Sequence, residues 1–295
     1  MNSLGNKDSS EVSTTCRSVR TKWQVNLLNK CTCKKVSTFL LFILFAFTSQ
    51  LSAQERTVST QVSIGHLNQL DTYISNEKYR GTEWRFISEV LKDNAKRPFT
   101  HTLTHEGAFS NTHNRADNAN EISGHYNFAY ALMKKWNYVL PSSSNNSNLV
   151  FRAGLFANID LGFCYNTRTS ANNPAQGYAS LNIGPQIMVH YDFPLWNKVF
   201  RITYETRVPF IGLMFSPNYG QSYYEIFNEG NYDHNVVFTS IGTFQMRHQI
   251  SLDIPIAKRT SLRLGYLGDI RQAKPNNLKQ HQWYNAVAVG VTIKK

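Results

Sequence analysis

Apolar and polar side chains alternate one by one through most of the chain after Thr57. The longest run, 178–192, carries mainly apolar residues at odd positions and mainly polar residues at even positions. Similar runs cover 151–163 and 200–210. Successive side chains of a β-strand point to opposite faces, so the pattern predicts many strands with one apolar and one polar face.

Two architectures produce such alternation. A soluble sandwich or lipocalin-like barrel turns its apolar face inward, whereas an outer-membrane barrel turns that face toward lipid. The connections favour the second, because long and short ones alternate along most of the chain, as bacterial barrels require. The long connections are 68–80, 109–120, 165–175, 215–234 and 271–281.

We therefore expect an all-β fold, an antiparallel transmembrane β-barrel of about ten strands, with twelve as the alternative. A negative mean hydropathy excludes a protein with several transmembrane helices. The predicted strands lie near 56–67, 81–91, 97–108, 121–134, 148–164, 176–192, 198–214, 235–255, 260–270 and 282–294.

Aromatic residues fall near both ends of the predicted strands, as interfacial girdles would. The girdle near the short connections contains Phe99, Trp136, Tyr138, Phe193 and Trp196, and the other contains Trp84, Tyr126, Tyr165, Tyr178 and Tyr266. His248 is an exception, because it occupies the apolar face of its strand. A bulge, or a strand that continues beyond the membrane, would accommodate it.

Residues 1–53 are expected to be an N-terminal extension and a cleavable signal peptide. Lys34 and Lys35 precede an apolar run from Val36 to Phe47, which is too short for a membrane-spanning helix, and cleavage is expected after Ala53. This leaves 54–295 as the barrel domain, exported through the Sec pathway to the outer membrane of a Gram-negative bacterium.

The predicted leader carries seven of the 31 basic and two of the 19 acidic residues, so the remaining chain has a net charge of +7. Its basic residues are scattered rather than grouped in a stripe, which argues against nucleic-acid binding. Cys164 is the single cysteine after the leader, and no metal-binding motif is present. We expect neither a metal nor another cofactor.

The segment Leu70-Asp71-Thr72-Tyr73-Ile74-Ser75, followed by Tyr79-Arg80-Gly81, resembles the signature of an uncharacterised family of Bacteroidetes outer-membrane proteins, domain of unknown function 3316. The resemblance covers the whole chain after the leader. It implies a barrel in the cell envelope, in contact with outer-membrane lipid, and assigns no activity. The last strand lacks the terminal aromatic residue that many such proteins present to the barrel-assembly machinery.

Charged residues on the polar faces of several predicted strands lie at similar heights near the periplasmic end. Their signs alternate from strand to strand, which predicts a network that plugs the lumen, whereas an ion filter would carry one sign. The members are Glu89, Arg152, Asp192, Arg201, Asp253 and Arg263.

A second polar patch lies nearer the outside and contains Ser123, His125, Asn158 and Asp160. A serine, a histidine and an acid or amide are the components of an acyl hydrolase, so a lipid hydrolase is one alternative function. A small-solute channel is another. Because strand faces that line a lumen are rich in these residue types anyway, we favour a non-enzymatic barrel.

On this interpretation the long loops contact something outside the cell, either a polysaccharide or a protein. Tyr219, Tyr223 and Tyr224, in the connection 215–234, are the candidate contact residues.

Overall fold

The computed structural model describes residues 54–94, 98–140, 147–168, 173–196, 198–240 and 244–295. The predicted leader, 1–53, lies outside the described residues. In the part of the chain that is described, no helix is both long enough and apolar enough to cross a bilayer.

The described residues form twelve strand segments and two short helices. The strands are β1 (Gln54–Asp71), β2 (Tyr79–Asn94), β3 (Phe99–Asn114), β4 (Asn120–Leu140), β5 (Ser147–Asn166), β6 (Ala175–Leu195), β7 (Lys198–Arg207), β8 (Ile211–Phe215), β9 (Val236–Thr239), β10 (Met246–Pro255), β11 (Thr260–Ala273) and β12 (Gln280–Lys294). The helices are α1 (Tyr223–Phe227) and a 3₁₀ turn (Pro275–Asn277).

Ten of these strands close into an antiparallel barrel. Each pairs with its neighbours around the ring in the order β5-β4-β3-β2-β1-β12-β11-β10-β7-β6, and a further pairing of β5 with β6 completes it. The first and last strands pair along fifteen residues, from Thr57 opposite Lys294 to Asp71 opposite Gln280. The predicted ten-stranded antiparallel barrel is confirmed.

Two predicted strands are interrupted. The predicted strand 198–214 becomes β7 and β8, which both run beside β6, and the segment 235–255 becomes β9 and β10. Pro209 has no amide hydrogen, so the ladder breaks there, although Val208 N donates to Pro185 O and Phe210 N donates to Ile183 O. Gly184 permits this close passage, since a Cβ at that position would collide with Val208 O.

Several strands run further toward the long-connection end than predicted. β1 continues to Asp71 instead of 67, and β3 continues to Asn114 instead of 108. The residues in these extensions are mostly polar, but their backbone groups still pair, as Gln69 does with Tyr79 and Tyr79 with Asn114. The connections at this end are therefore shorter than predicted, except for 208–245.

The two faces of the wall differ as a lipid-exposed barrel requires. Val62, Leu155 and Val287 point outward and are exposed, whereas Ser63, Gln61 and Thr104 point into the lumen and are buried. Because side chains fill most of the lumen, the polar residues are the buried ones.

Among the predicted girdle residues, Trp84, Tyr126, Tyr165 and Tyr266 are exposed on the outer face. Tyr178 is not part of that girdle, because it occupies the lumen face and its hydroxyl donates to Asp71 Oδ2 at 2.6 Å. Tyr178, Ser180 and Asn182 all occupy even-numbered positions of β6, so their side chains point to the same face of the sheet.

No bulge accommodates His248. The register through it is continuous, opposite Thr206 on one side and Gly268 on the other. Its imidazole lies over Gly268, in the space that a Cβ there would occupy, and 6.0 Å from the ring of Tyr266. A glycine on the neighbouring strand thus makes room for the ring.

The outward position of Val289, opposite Val62 and Leu264, generates a stability prediction. Val289→Arg should lower the free energy of unfolding by about 2–4 kcal/mol, because a charge on the lipid face loses its hydration. Urea titration in lipid vesicles measures it. Val289→Ala, which adds no charge, is the control, and equal effects of the two substitutions would contradict a lipid-facing position.

Candidate functional site

The middle of the lumen is occupied by Arg85, which is 2 % exposed. Its guanidinium forms ion pairs with Glu83, with Glu106 at 2.6 Å and with Asp269 at 2.6 Å. The guanidinium carbon also lies 4.0 Å from the ring centroid of Tyr284. Glu83 and Arg85 are two residues apart in β2, so both side chains point into the lumen, and the other two carboxylates come from β3 and β11.

Three further arginines extend this cluster across the lumen. Arg247 Nε lies 3.1 Å from Glu106 Oε2, and Arg271 lies 2.9 Å from Asp269 and 3.2 Å from Asp160. We call the connected set the central network. Its members are Glu83, Arg85, Glu89, Glu106, Asp160, Glu205, Arg207, Arg247, Asp269 and Arg271.

One contact in the central network offsets a repulsion. Arg207 and Arg247 occupy directly opposite positions on β7 and β10, where like charges are unfavourable. Glu205 lies between them, 2.6 Å from Arg207 and 3.9 Å from Arg247. The carboxylate therefore compensates both guanidinium groups.

The structure divides the predicted ring of charges into separate groups. Asp192 pairs with Arg201 at 2.6 Å, and Asp253 pairs with Arg263 at 2.6 Å, and each pair joins two neighbouring strands. Glu89 contacts Arg207, at 3.5 Å, and so belongs to the central network.

Arg152 has partners that the sequence did not indicate. It forms an ion pair with Asp93 at 2.7 Å and lies 3.0 Å from His190 Nδ1. Most of the central network was also missed, although the charged inward residues Glu83, Arg85 and Glu106 were visible on the polar faces of their strands.

The predicted hydrolase residues are not arranged around one reacting group. The Ser123 hydroxyl exchanges a hydrogen bond with Ser110 at 2.5 Å and donates to Gln69 Oε1 at 3.2 Å. His125 Nε2 lies 3.9 Å from Glu106 and has no hydrogen-bond partner. A serine with these partners has no base to take its proton.

The other two members of that patch also have different partners. Asp160 accepts a hydrogen bond from Asn127 Nδ2 at 2.9 Å and pairs with Arg271. Asn158 is buried, and its Oδ1 has no hydrogen-bond partner. Neither side chain positions His125.

A cavity of about 90 Å³ lies between the central network and the long-connection ends of the strands. We call it the outer cavity. Its lining includes Asp71, Glu121, His125, Asp160 and Gln280. Within the described ranges, no three His, Cys, Asp or Glu side chains are placed to hold one metal ion.

Residues 216–235, between β8 and β9, contact the other connections at this end of the barrel. α1 begins with a capping box, in which Ser222 Oγ accepts from Glu225 N and Glu225 Oε2 accepts from Ser222 N. The hydroxyl of Tyr73, in the connection after β1, donates to Gln221 O at 2.8 Å. Asn276 Nδ2, in the connection after β11, donates to His234 O at 3.0 Å. Three connections are therefore joined into one assembly.

The three candidate contact tyrosines have different environments. Tyr219 is 85 % exposed and Tyr224 62 % exposed. Tyr223 points toward the barrel, where its hydroxyl donates to Gln176 Oε1 and accepts from Gly177 N. Burial raises the pKa of Tyr223, and burial with the neighbouring Tyr223 and Asp71 raises the pKa of Tyr73. Both hydroxyls therefore remain protonated donors at neutral pH.

The position of Arg85 predicts a large loss of stability on its removal. Arg85→Ala leaves three buried carboxylates without their shared cation, so the free energy of unfolding should fall by about 3–5 kcal/mol. Urea unfolding in lipid vesicles measures the change. Arg80→Ala is the matched control, since Arg80 lies on the same strand but is exposed. A loss no larger than that of the control would contradict the role given to Arg85.

Comparison with solved structures finds barrels of the outer membrane. The outer membrane protease OmpT from Escherichia coli aligns with a TM-score of 0.47 and 6 % identity, over 84 % of this chain and 99 % of that chain. The transport unit of the autotransporter AIDA-I from Escherichia coli gives 0.42 and 9 %, over 84 % and 93 %. Neisserial surface protein A gives 0.35 and 8 %, over 81 % and 97 %. These similarities concern the barrel fold alone.

Comparison with curated protein sequences finds no match. A family described as "Protein of unknown function (DUF3316)" matches residues 36–294, which is most of the chain. The chain belongs to this DUF3316 family.

Proposed function

We propose that this protein is a closed barrel of the Gram-negative outer membrane, which does not conduct ions and which uses its outer loops to bind molecules at the cell surface. The central network is the observation that supports this most directly. Its side chains come from β2, β3, β5, β7, β10 and β11, so they reach across the lumen from both sides of the barrel.

A conducting pore needs a continuous column of water and weak, multiple contacts with its solute. In the central network, guanidinium groups instead lie 2.6–3.9 Å from carboxylates of the same lumen. An ion that crossed this level would have to separate charges that are already paired in a poorly hydrated space. The channel alternative therefore has less support, and so has a lipid hydrolase, because Ser123 has no base beside it.

The two ends of the barrel differ in a way that favours one orientation. The end with the extended strands carries the connection 208–245, and the other end carries the short connections 196–197 and 256–259. Outer-membrane barrels place short turns in the periplasm and longer loops outside. On this basis 1–53 is the export signal for the Sec pathway, and the barrel-assembly machinery inserts the chain among outer-membrane lipids.

The segment around α1 exposes several aromatic rings, and buried contacts hold it in place. Tyr219, Tyr224, Phe227 and Tyr232 are all exposed, while Ile226 on α1 is fully buried. Tyrosine supplies a flat apolar surface and a hydroxyl at low entropic cost, and it is common at binding surfaces. We infer that this surface binds a polysaccharide or a protein outside the cell.

Planar-bilayer recording tests the closed lumen. We expect the purified protein to give no steady conductance in about 1 M KCl. At this salt concentration an open pore would carry a large current. Arg201→Ala should also be silent, because it removes a pair near the periplasmic end and leaves the central network intact. A porin inserted by the same procedure is the positive control. Regular conductance steps from the parent protein would overturn the proposal.

Binding to a glycan array and crosslinking on intact cells test the outer surface. The double substitution Tyr219→Ser and Tyr224→Ser should reduce capture of glycan or protein at least tenfold, about 1.4 kcal/mol, since it removes two exposed rings. Tyr138→Ser is the control, because Tyr138 is also an exposed tyrosine, at 54 %, but lies at the opposite end of the barrel. No captured glycan or protein, or equal capture by all variants, would contradict this surface as the binding site.

A further inference from the structure

Two buried carboxylates stand apart from the rest. Seven aspartate and glutamate residues are buried in the described part of the chain, and five of them pair with an arginine. The other two, Asp71 and Glu121, form no ion pair with a described residue. A buried charge is costly unless a counter-charge accompanies it, so these two positions require an explanation.

Neutral donors hold both groups in place. Asp71 accepts from the Tyr178 hydroxyl at 2.6 Å and from Tyr73 N at 2.9 Å. Glu121 accepts from Gln69 Nε2 at 2.8 Å and from Asn166 Nδ2 at 3.1 Å. A carboxylate has about four lone-pair sites, so each group keeps about two for a further donor.

Both carboxylates line the outer cavity, and that cavity has other unsatisfied polar atoms. His125 Nε2 and Gln280 Nε2 line it without a hydrogen-bond partner. The His125 side chain is 8 % exposed and Gln280 is 9 % exposed. Buried polar groups in proteins are almost always hydrogen-bonded, so two such atoms beside two unpaired carboxylates indicate a polar ligand.

The charge of the cavity wall favours a cation. Arg271 also lines the cavity, but it is already paired with Asp160 and Asp269. Asp71 and Glu121 are therefore the acidic groups of the wall that have no counter-charge among the described residues. Met214, which is opposite the lumen-facing Ser180, adds an apolar side chain to the lining, which suits methylene groups.

The size of the cavity favours an organic molecule. A single water needs about 10–15 Å³ of such space, so 90 Å³ accommodates about six to nine atoms of that size. That is more than one monatomic ion requires.

We propose that the outer cavity binds a small organic ammonium ion, whose N–H groups donate to Asp71 and Glu121 while its carbon chain lies against Met214. Gln280 Nε2 donates to any hydroxyl that the ligand carries. This site is independent of whether the lumen conducts, because it lies above the central network.

Calorimetric titration of the detergent-solubilised full chain tests the proposal with three probes of equal chain length. Putrescine carries two ammonium groups, 1,4-butanediol is neutral and succinate is anionic. We expect saturable binding of putrescine, and binding of the other two that is at least tenfold weaker, because only putrescine supplies the missing positive charge.

Substitutions then locate the site. Glu121→Gln and Asp71→Asn keep the shape of each side chain and remove its charge, and each should weaken putrescine binding at least tenfold. Glu229→Gln is the matched control, since Glu229 is an exposed acid outside the cavity lining. Circular dichroism and the heat-dependent shift on gels verify that each variant folds. Unchanged affinity in a folded Glu121→Gln variant, equal binding of 1,4-butanediol, or no binding of putrescine would overturn the proposal.

Discussion

The structure depends on the burial of charge inside a narrow barrel. A ten-stranded lumen is filled mostly by side chains, so an inward charge without a counter-charge is costly. Arg85 supplies the counter-charge for three carboxylates at once, and Glu205 does so for two opposing arginines. The partners come from strands far apart in sequence, so the same contacts that neutralise charge also fix how the two sides of the barrel face each other.

The outer wall is governed by a complementary constraint, the pairing of every backbone group that faces lipid. Alternation of apolar and polar residues is local information, and it was enough to predict ten antiparallel strands and their outward faces. The break at Pro209 was not predicted, because the apolar pattern continues through 208–213 and hides it. The full length of the strands was not predicted, because near Gln69 and Asn114 polar residues occupy both faces of the strand and the alternation is lost. The backbones of these residues still pair.

Ion-pair partners were harder to predict, because they depend on the offset between strands. The sequence suggested that Arg152 and Asp192 lie at one level, but Met188 is opposite Arg152, and Asp192 is opposite Asn148. Four residues of a strand correspond to about 13 Å, so Arg152 pairs with Asp93 instead. The outer cavity was hidden for the same reason, since Asp71, Glu121 and Gln280 come together only through the register of strands far apart in the sequence.

The interruption between β7 and β8 has a mechanical consequence. β8 continues along the β6 ladder that β7 occupies lower down, and β9 pairs with β8. The connection that carries the exposed tyrosines is therefore anchored in the wall of the barrel itself and is not tethered by flexible chain alone. A force applied to this connection from outside acts directly on the hydrogen bonds of β6, so the surface assembly and the membrane wall move as one piece.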